Sequence, residues 1–211
     1  MKLKKIASLA LAGVMAVSML AGCSNGSNGN ANSGNGNTVV TPSASGIVSA
    51  FNNGQDEDNK AKVTFSSDAT FDAAVKKAIE NAGNAASKEW IKVLVAGLTG
   101  ANGNSSWDDF ATDATKDGEK VTVLNVETYG SGFYWTESAA MEQAAREVNE
   151  EIAELKATTK NATMHEKDSY YDYTYTGNVS MVAAQQESGA TIYYVAYTVT
   201  RTASAQKVTK A

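Results

Sequence analysis

Apolar and polar positions change period several times along the chain, and each change marks an element. The apolar run Ile6–Met19 follows the cationic start Met1-Lys2-Leu3-Lys4-Lys5 and gives way to a polar tract at Ser24. From Ser24 to Asn37 no apolar side chain exceeds a methyl group, so this stretch cannot feed a core and is predicted to be a flexible tether. Val39-Val40-Thr41-Pro42-Ser43 continues it as extended linker, because proline disfavours helix at the residue before it.

From Ile47 the pattern is that of a globular domain. Lys62 to Phe65 is a short strand candidate. Asp68 is placed to cap a helix whose Phe71, Ala74, Val75, Ala78, Ile79 and Ala82 share one face, with Gly83 as its stop. Trp90, Ile91, Leu94, Val95 and Leu98 fall at helical spacing, although Trp90 to Val95 also fits a buried strand. Ser106-Trp107-Asp108-Asp109 reads as a helix start, with Trp107, Phe110, Ala111 and Ala114 as the inner stripe and Asp117-Gly118 as the end. Val121 to Thr128 is β-branched and short, hence a strand. After a Gly130-Ser131-Gly132 turn, Thr136 opens the longest helix, with Met141, Ala144, Ala145, Val148, Ile152 and Leu155 on its buried face.

Beyond Lys160 the period becomes two. Tyr171, Tyr173 and Tyr175 share one side of a strand, Val179, Met181 and Ala183 a second, and Tyr193, Val195, Tyr197 and Val199 a third, with Glu187-Ser188-Gly189 as the turn between the last two. Helices mainly before strands predict an α+β fold, with several helices packed on a small antiparallel β-meander. The organisation read from the chain is a signal peptide over 1–22, a tether over 23–46 and one globular domain over 47–211.

Composition narrows the function. The 211 residues carry a formal net charge of −5, with one cysteine, one proline and one histidine. An acidic chain without basic clusters has no footprint for nucleic acid. One cysteine closes no intramolecular disulfide and builds no thiolate metal site, and no metal or other cofactor is expected. The apolar run falls short of the ~20 residues of a membrane span and fits the h-region of a secretory signal.

That segment closes in Leu20-Ala21-Gly22-Cys23, and here the chain resembles bacterial lipoproteins, whose signals end in a lipobox of this form. The resemblance covers the first 23 residues. It implies a diacylglyceryl thioether on Cys23, with palmitate among the acyl chains, cleavage between Gly22 and Cys23, and residence on the extracytoplasmic face of the cell membrane. A thiolate is nucleophilic enough for that modification, and two acyl chains pass the threshold for stable anchoring. Cleavage would remove three lysines, taking the formal net charge from −5 to −8.

Searches for chemistry return less. His165 lies in a polar connection and no Gly-x-Ser-x-Gly elbow accompanies it. Ser204-Ala205-Gln206-Lys207 matches Ser-x-x-Lys but stands too near the end of the sequence for a catalytic helix. Asp56-Glu57-Asp58 and Asp108-Asp109 with Asp113 and Asp117 fail the EF-hand spacing. No catalytic residue is assigned. Seven tyrosines crowd the last strands. If Tyr171, Tyr173 and Tyr175 faced solvent they would form an aromatic platform for sugar rings or peptide; if they faced the long helix they would be core with hydroxyls at the rim, which is the favoured reading. The expected function is a membrane-anchored, non-catalytic binding or envelope-structure module, with a glycan or an envelope protein as partner. The alternative is an envelope hydrolase acting on glycan or peptide.

Overall fold

A computed structural model of the chain describes residues 39–40, 44–83, 86–130, 135–159, 169–186 and 188–207. In chain order its elements are β1 (Val39–Val40), α1 (Ala44–Asn53), β2 (Val63–Ser66), α2 (Ala69–Ala82), α3 (Lys88–Thr99), a 3₁₀ turn (Trp107–Ala111), β3 (Lys120–Tyr129), α4 (Glu137–Ala153), β4 (Ser169–Gln185) and β5 (Thr191–Lys207). The fold class is α+β. Strand β1 and the start of α1 fall within the span read as tether, and α1 starts soon after Pro42.

The sheet differs from a meander. Strands β4 and β5 form an antiparallel hairpin of 17 residues each, and β3 lies antiparallel on the far side of β5. The opposite edge of β4 takes β2 in parallel at Tyr175–Asn178 and β1 antiparallel at Ala183–Ala184. Sequence reading assigns Tyr171, Tyr173 and Tyr175 to one strand and Val179, Met181 and Ala183 to a second. The backbone runs straight through, because Gly177 is there for packing: a Cβ on it would stand 2.7 Å from the Phe65 ring and 2.5 Å from the Thr198 carbonyl oxygen.

Side-chain parity sends alternate residues to opposite faces. The first face carries Val123, Tyr171, Tyr173, Tyr175, Val179, Met181, Val195, Tyr197 and Val199, packed with Ile47 and Phe51 of α1 and Ala144, Val148 and Ile152 of α4. The second carries Leu124, Val126, Val182, Ala184, Tyr194 and Ala196, packed with Phe71, Val75 and Ile79 of α2 and Ile91 and Val95 of α3. Where no helix covers that second face the strands present Thr64, Thr122, Thr174 and Thr176 to water.

Local signals place the helices. Asp68 accepts from Phe71 N at 2.8 Å to start α2, and Gly83 ends it with φ 74°. Ser87 caps α3, Gly100 closes it in the left-handed region, and Thr136 caps α4. Two amide side chains, one in the last turn of α1 and one just after it, serve the outer backbone of β2: Asn52 exchanges hydrogen bonds with Phe65 N and O, both 2.9 Å, and Gln55 does so with Val63 N (2.9 Å) and O (2.7 Å).

The helix expected from Trp107 to Ala114 is cut to the 3₁₀ turn, and the cause lies in β5 and β4. In an α-helix Ala114 N–H would donate to the Phe110 carbonyl. Instead that carbonyl accepts from Arg201 Nη1 at 3.0 Å, and Ala114 N–H donates to the Tyr173 hydroxyl at 2.9 Å. Thr112 turns extended and offers its own carbonyl to Arg201 Nη1 at 2.8 Å.

Candidate functional site

The tyrosines singled out from sequence are core residues. Tyr171, Tyr173 and Tyr175 are 7%, 6% and 4% exposed, so the platform facing solvent is replaced by the alternative, packing beneath the helices. Tyr175 donates to the Lys156 carbonyl at 2.8 Å, and burial pushes its hydroxyl up to about 12. Cys23 and His165 lie outside the described residues.

Between Tyr173 and the 3₁₀ turn sits Arg201, which is fully buried. Its guanidinium stands 4.5 Å from the centre of the Tyr173 ring and 6.0 Å from that of Phe110. Nη1 serves two carbonyls, while Nε and Nη2 have no hydrogen-bond partner among the described residues. Sequence reading passed over Arg201. The signal that marks it is parity: it follows Tyr193, Val195, Tyr197 and Val199 on the inward side of the strand.

A second polar group gathers over β3, between the 3₁₀ turn and α4. Asn125 Nδ2 donates to the Tyr197 hydroxyl (3.0 Å) and to Glu127 Oε1 (3.2 Å), and Trp107 Nε1 donates to the same hydroxyl (3.3 Å). Lys88 Nζ binds Glu127 Oε2 at 2.7 Å, which raises the lysine's pKa. One turn of strand further on, Tyr129 donates to Glu147 Oε2 at 2.7 Å, and Gln143 donates to Glu147 Oε1 at 2.6 Å. Burial first, then the Glu147 carboxylate, pushes the Tyr129 hydroxyl far above its ordinary value. Burial likewise takes Tyr197 up to about 12 against the two donors that favour its anion. Trp135 leans on Tyr129 with ring centres 5.3 Å apart.

Chemically the group is an array of fixed donors and acceptors with indole edges. Both oxygens of Glu127 and both of Glu147 accept from named donors, an arrangement suited to holding shape and orienting a polar ligand. Glu127 and Glu147 carry no motif that separates them from surface glutamates, which is why sequence reading missed them.

The acidic groups weighed from sequence are spread among structural roles. Asp56 exchanges hydrogen bonds with Asn149, Asp113 pairs with Lys156 at 2.9 Å, and Asp117 accepts from Ala205 N at 2.8 Å. Among the described residues no three acidic, histidine or cysteine side chains are grouped to hold a metal, and no helix is long and apolar enough to cross a membrane. Ser204 lies in strand β5. Comparison with family models, curated proteins and solved structures gives no match.

Proposed function

We propose that this chain is a lipid-anchored bacterial lipoprotein on the extracytoplasmic face of the cell membrane, whose folded domain acts by binding or as an envelope-structure module. The observation that carries the anchor is Leu20-Ala21-Gly22-Cys23 at the end of a cationic and then apolar segment. Composition supports it: from Ser24 to Asn37 no side chain could feed a core, as a tether between anchor and fold requires. Binding is favoured over catalysis because the carboxylates of the polar group over β3, Glu127 and Glu147, are already held by Lys88, Asn125, Tyr129 and Gln143. A general acid or base needs a carboxyl oxygen free to meet the substrate's proton.

Mass spectrometry of the mature N-terminus tests the anchor. The expected result is Cys23 at the N-terminus with diacylglyceryl mass, lost in Cys23→Ala. An N-terminus elsewhere with a free thiol overturns it. Turnover of an envelope glycan or peptide by the purified protein, abolished by Glu127→Gln or Glu147→Gln, would replace the binding reading with that of a hydrolase.

A further inference from the structure

We infer that the outward face of α3 docks on the lipid bilayer that holds the anchor, with Trp90 as its deepest residue; this rests on the lipoprotein reading above. Trp90, Val93 and Leu98 are 51%, 53% and 42% exposed, and they are the exposed large hydrophobic residues among those described. All three belong to one helix. Sequence spacing puts Trp90 and Leu98 with Ile91 and Val95 on a single buried stripe. The structure divides that stripe: Ile91 and Val95 are fully buried against the second face of the sheet, and Trp90 and Leu98 turn outward. A helix with apolar residues on both its sides is ordinarily covered on both, and here α2 and the sheet cover one.

Charge says which surface the other side meets. On this side the charges nearly cancel: Lys88 is paired with Glu127 and Lys92 donates to the Ser105 carbonyl, Glu89 is the acid of α3, and α2 sets Lys76 and Lys77 against Asp72 and Glu80. On the opposite face of the sheet α4 carries five glutamates against one arginine. A net acidic molecule near an anionic leaflet is turned with α4 away and α3 inward. The chain joins the fold on the matching side, since β1 pairs beside Ala183 and Ala184 and lies against α2.

Distance and area agree. A Gly/Ser/Asn chain of fifteen residues reaches on the order of 20 Å. A short flexible tether raises the effective concentration of bilayer to roughly millimolar, and tryptophan favours the membrane–water interface. Three half-exposed side chains fall well short of the ~800 Å² per partner that a stable dimer buries.

The test uses the lipidated full chain in phosphatidylcholine–phosphatidylglycerol vesicles, with and without brominated acyl chains. Tryptophan emission is compared between the wild type and Trp90→Phe. Brominated lipid is expected to quench the Trp90 component at least twofold, and Val93→Ser/Leu98→Ser to abolish that quenching while the far-ultraviolet spectrum stays native. A chain that carries diacylglyceryl mass and floats with the vesicles but shows no quenching of Trp90 overturns the inference and leaves the anchor standing. A chain without lipid overturns both. Shielding of Trp90 from acrylamide that grows with the protein-to-lipid ratio, without quenching by brominated lipid, assigns the face to self-association instead and overturns the inference.

Discussion

The two faces of the sheet are built from the same strands by opposite principles. The second face is covered by Phe71 and otherwise aliphatic side chains on α2 and α3, helices that start and stop on their own capping residues. The first face is aromatic and polar: Tyr173, Tyr175 and Tyr197 lend hydroxyls to backbone and side chains 19 to 90 residues away, and Arg201 is buried among them. Covering a sheet with aliphatic groups needs only periodicity. Covering it with tyrosines needs each hydroxyl to find a partner, and those partners then dictate the shape of neighbouring segments, as Arg201 and Tyr173 do for the 3₁₀ turn.

The largest break in this comparison comes from Arg201→Ala. It opens a cavity and strips the Phe110 and Thr112 carbonyls of their donor, with an expected loss of about 4 kcal/mol in urea unfolding. Arg201→Met keeps the volume and removes a buried charge whose Nε and Nη2 are unpartnered, so its loss should be well under half of that. Equal losses would show that the charge itself holds the first face together.

Alkaline pH tests two tyrosines of the first face next. Tyr197 and Tyr175 titrate at about 12 in the fold against 10.0 unfolded. Their neutral hydroxyls therefore stabilise fully below pH 10, and that contribution is lost as pH rises from 10 toward 12. For Tyr197 it is on the order of 2 kcal/mol. Tyr197→Phe should flatten the fall of melting temperature between pH 9 and 11, while Ile91→Ala on the second face shifts the whole curve down without changing its slope.

Smaller effects sharpen the contrast. Asp68→Ala removes the cap of α2 and should cost about 1 kcal/mol, with faster amide exchange confined to the first turn of that helix. Lys88→Ala breaks a partly exposed pair with Glu127 and should cost about 0.5 kcal/mol or less, vanishing in high salt.

The same contrast explains what could be read from sequence. Asp68 and Gly83 bracket α2 to the residue, and Ala144, Ala145, Val148 and Ile152 of α4 are buried as its spacing predicts, with Ala140 taking the place expected of Met141, because both depend on neighbours within a turn or two. The segment after Trp107 misleads because Arg201, 91 residues from Phe110, takes the carbonyl that local spacing assigns to a helix. Helix α3 shows a further limit: apolar residues lie on both its sides, and periodicity does not say which side meets the sheet. Of the candidate residues, the tyrosines could be placed on one side of a strand and favoured as inner, and the helices covering the sheet make them so. Glu127, Glu147 and Asn125 become a group only when β3 and α4 meet.

The amide pairing of Asn52 and Gln55 with β2 reaches beyond stability. A parallel strand of four residues at the margin of a sheet is a template on which another chain can grow. Here every outward N–H and C=O of Val63 and Phe65 is already spoken for by a side chain too short to continue the ladder. On the opposite margin Ser105 Oγ takes the Leu124 N–H at 2.9 Å. The β2 border is thus closed to a further strand by its own neighbours, and along β3 the Leu124 N–H is closed in the same way.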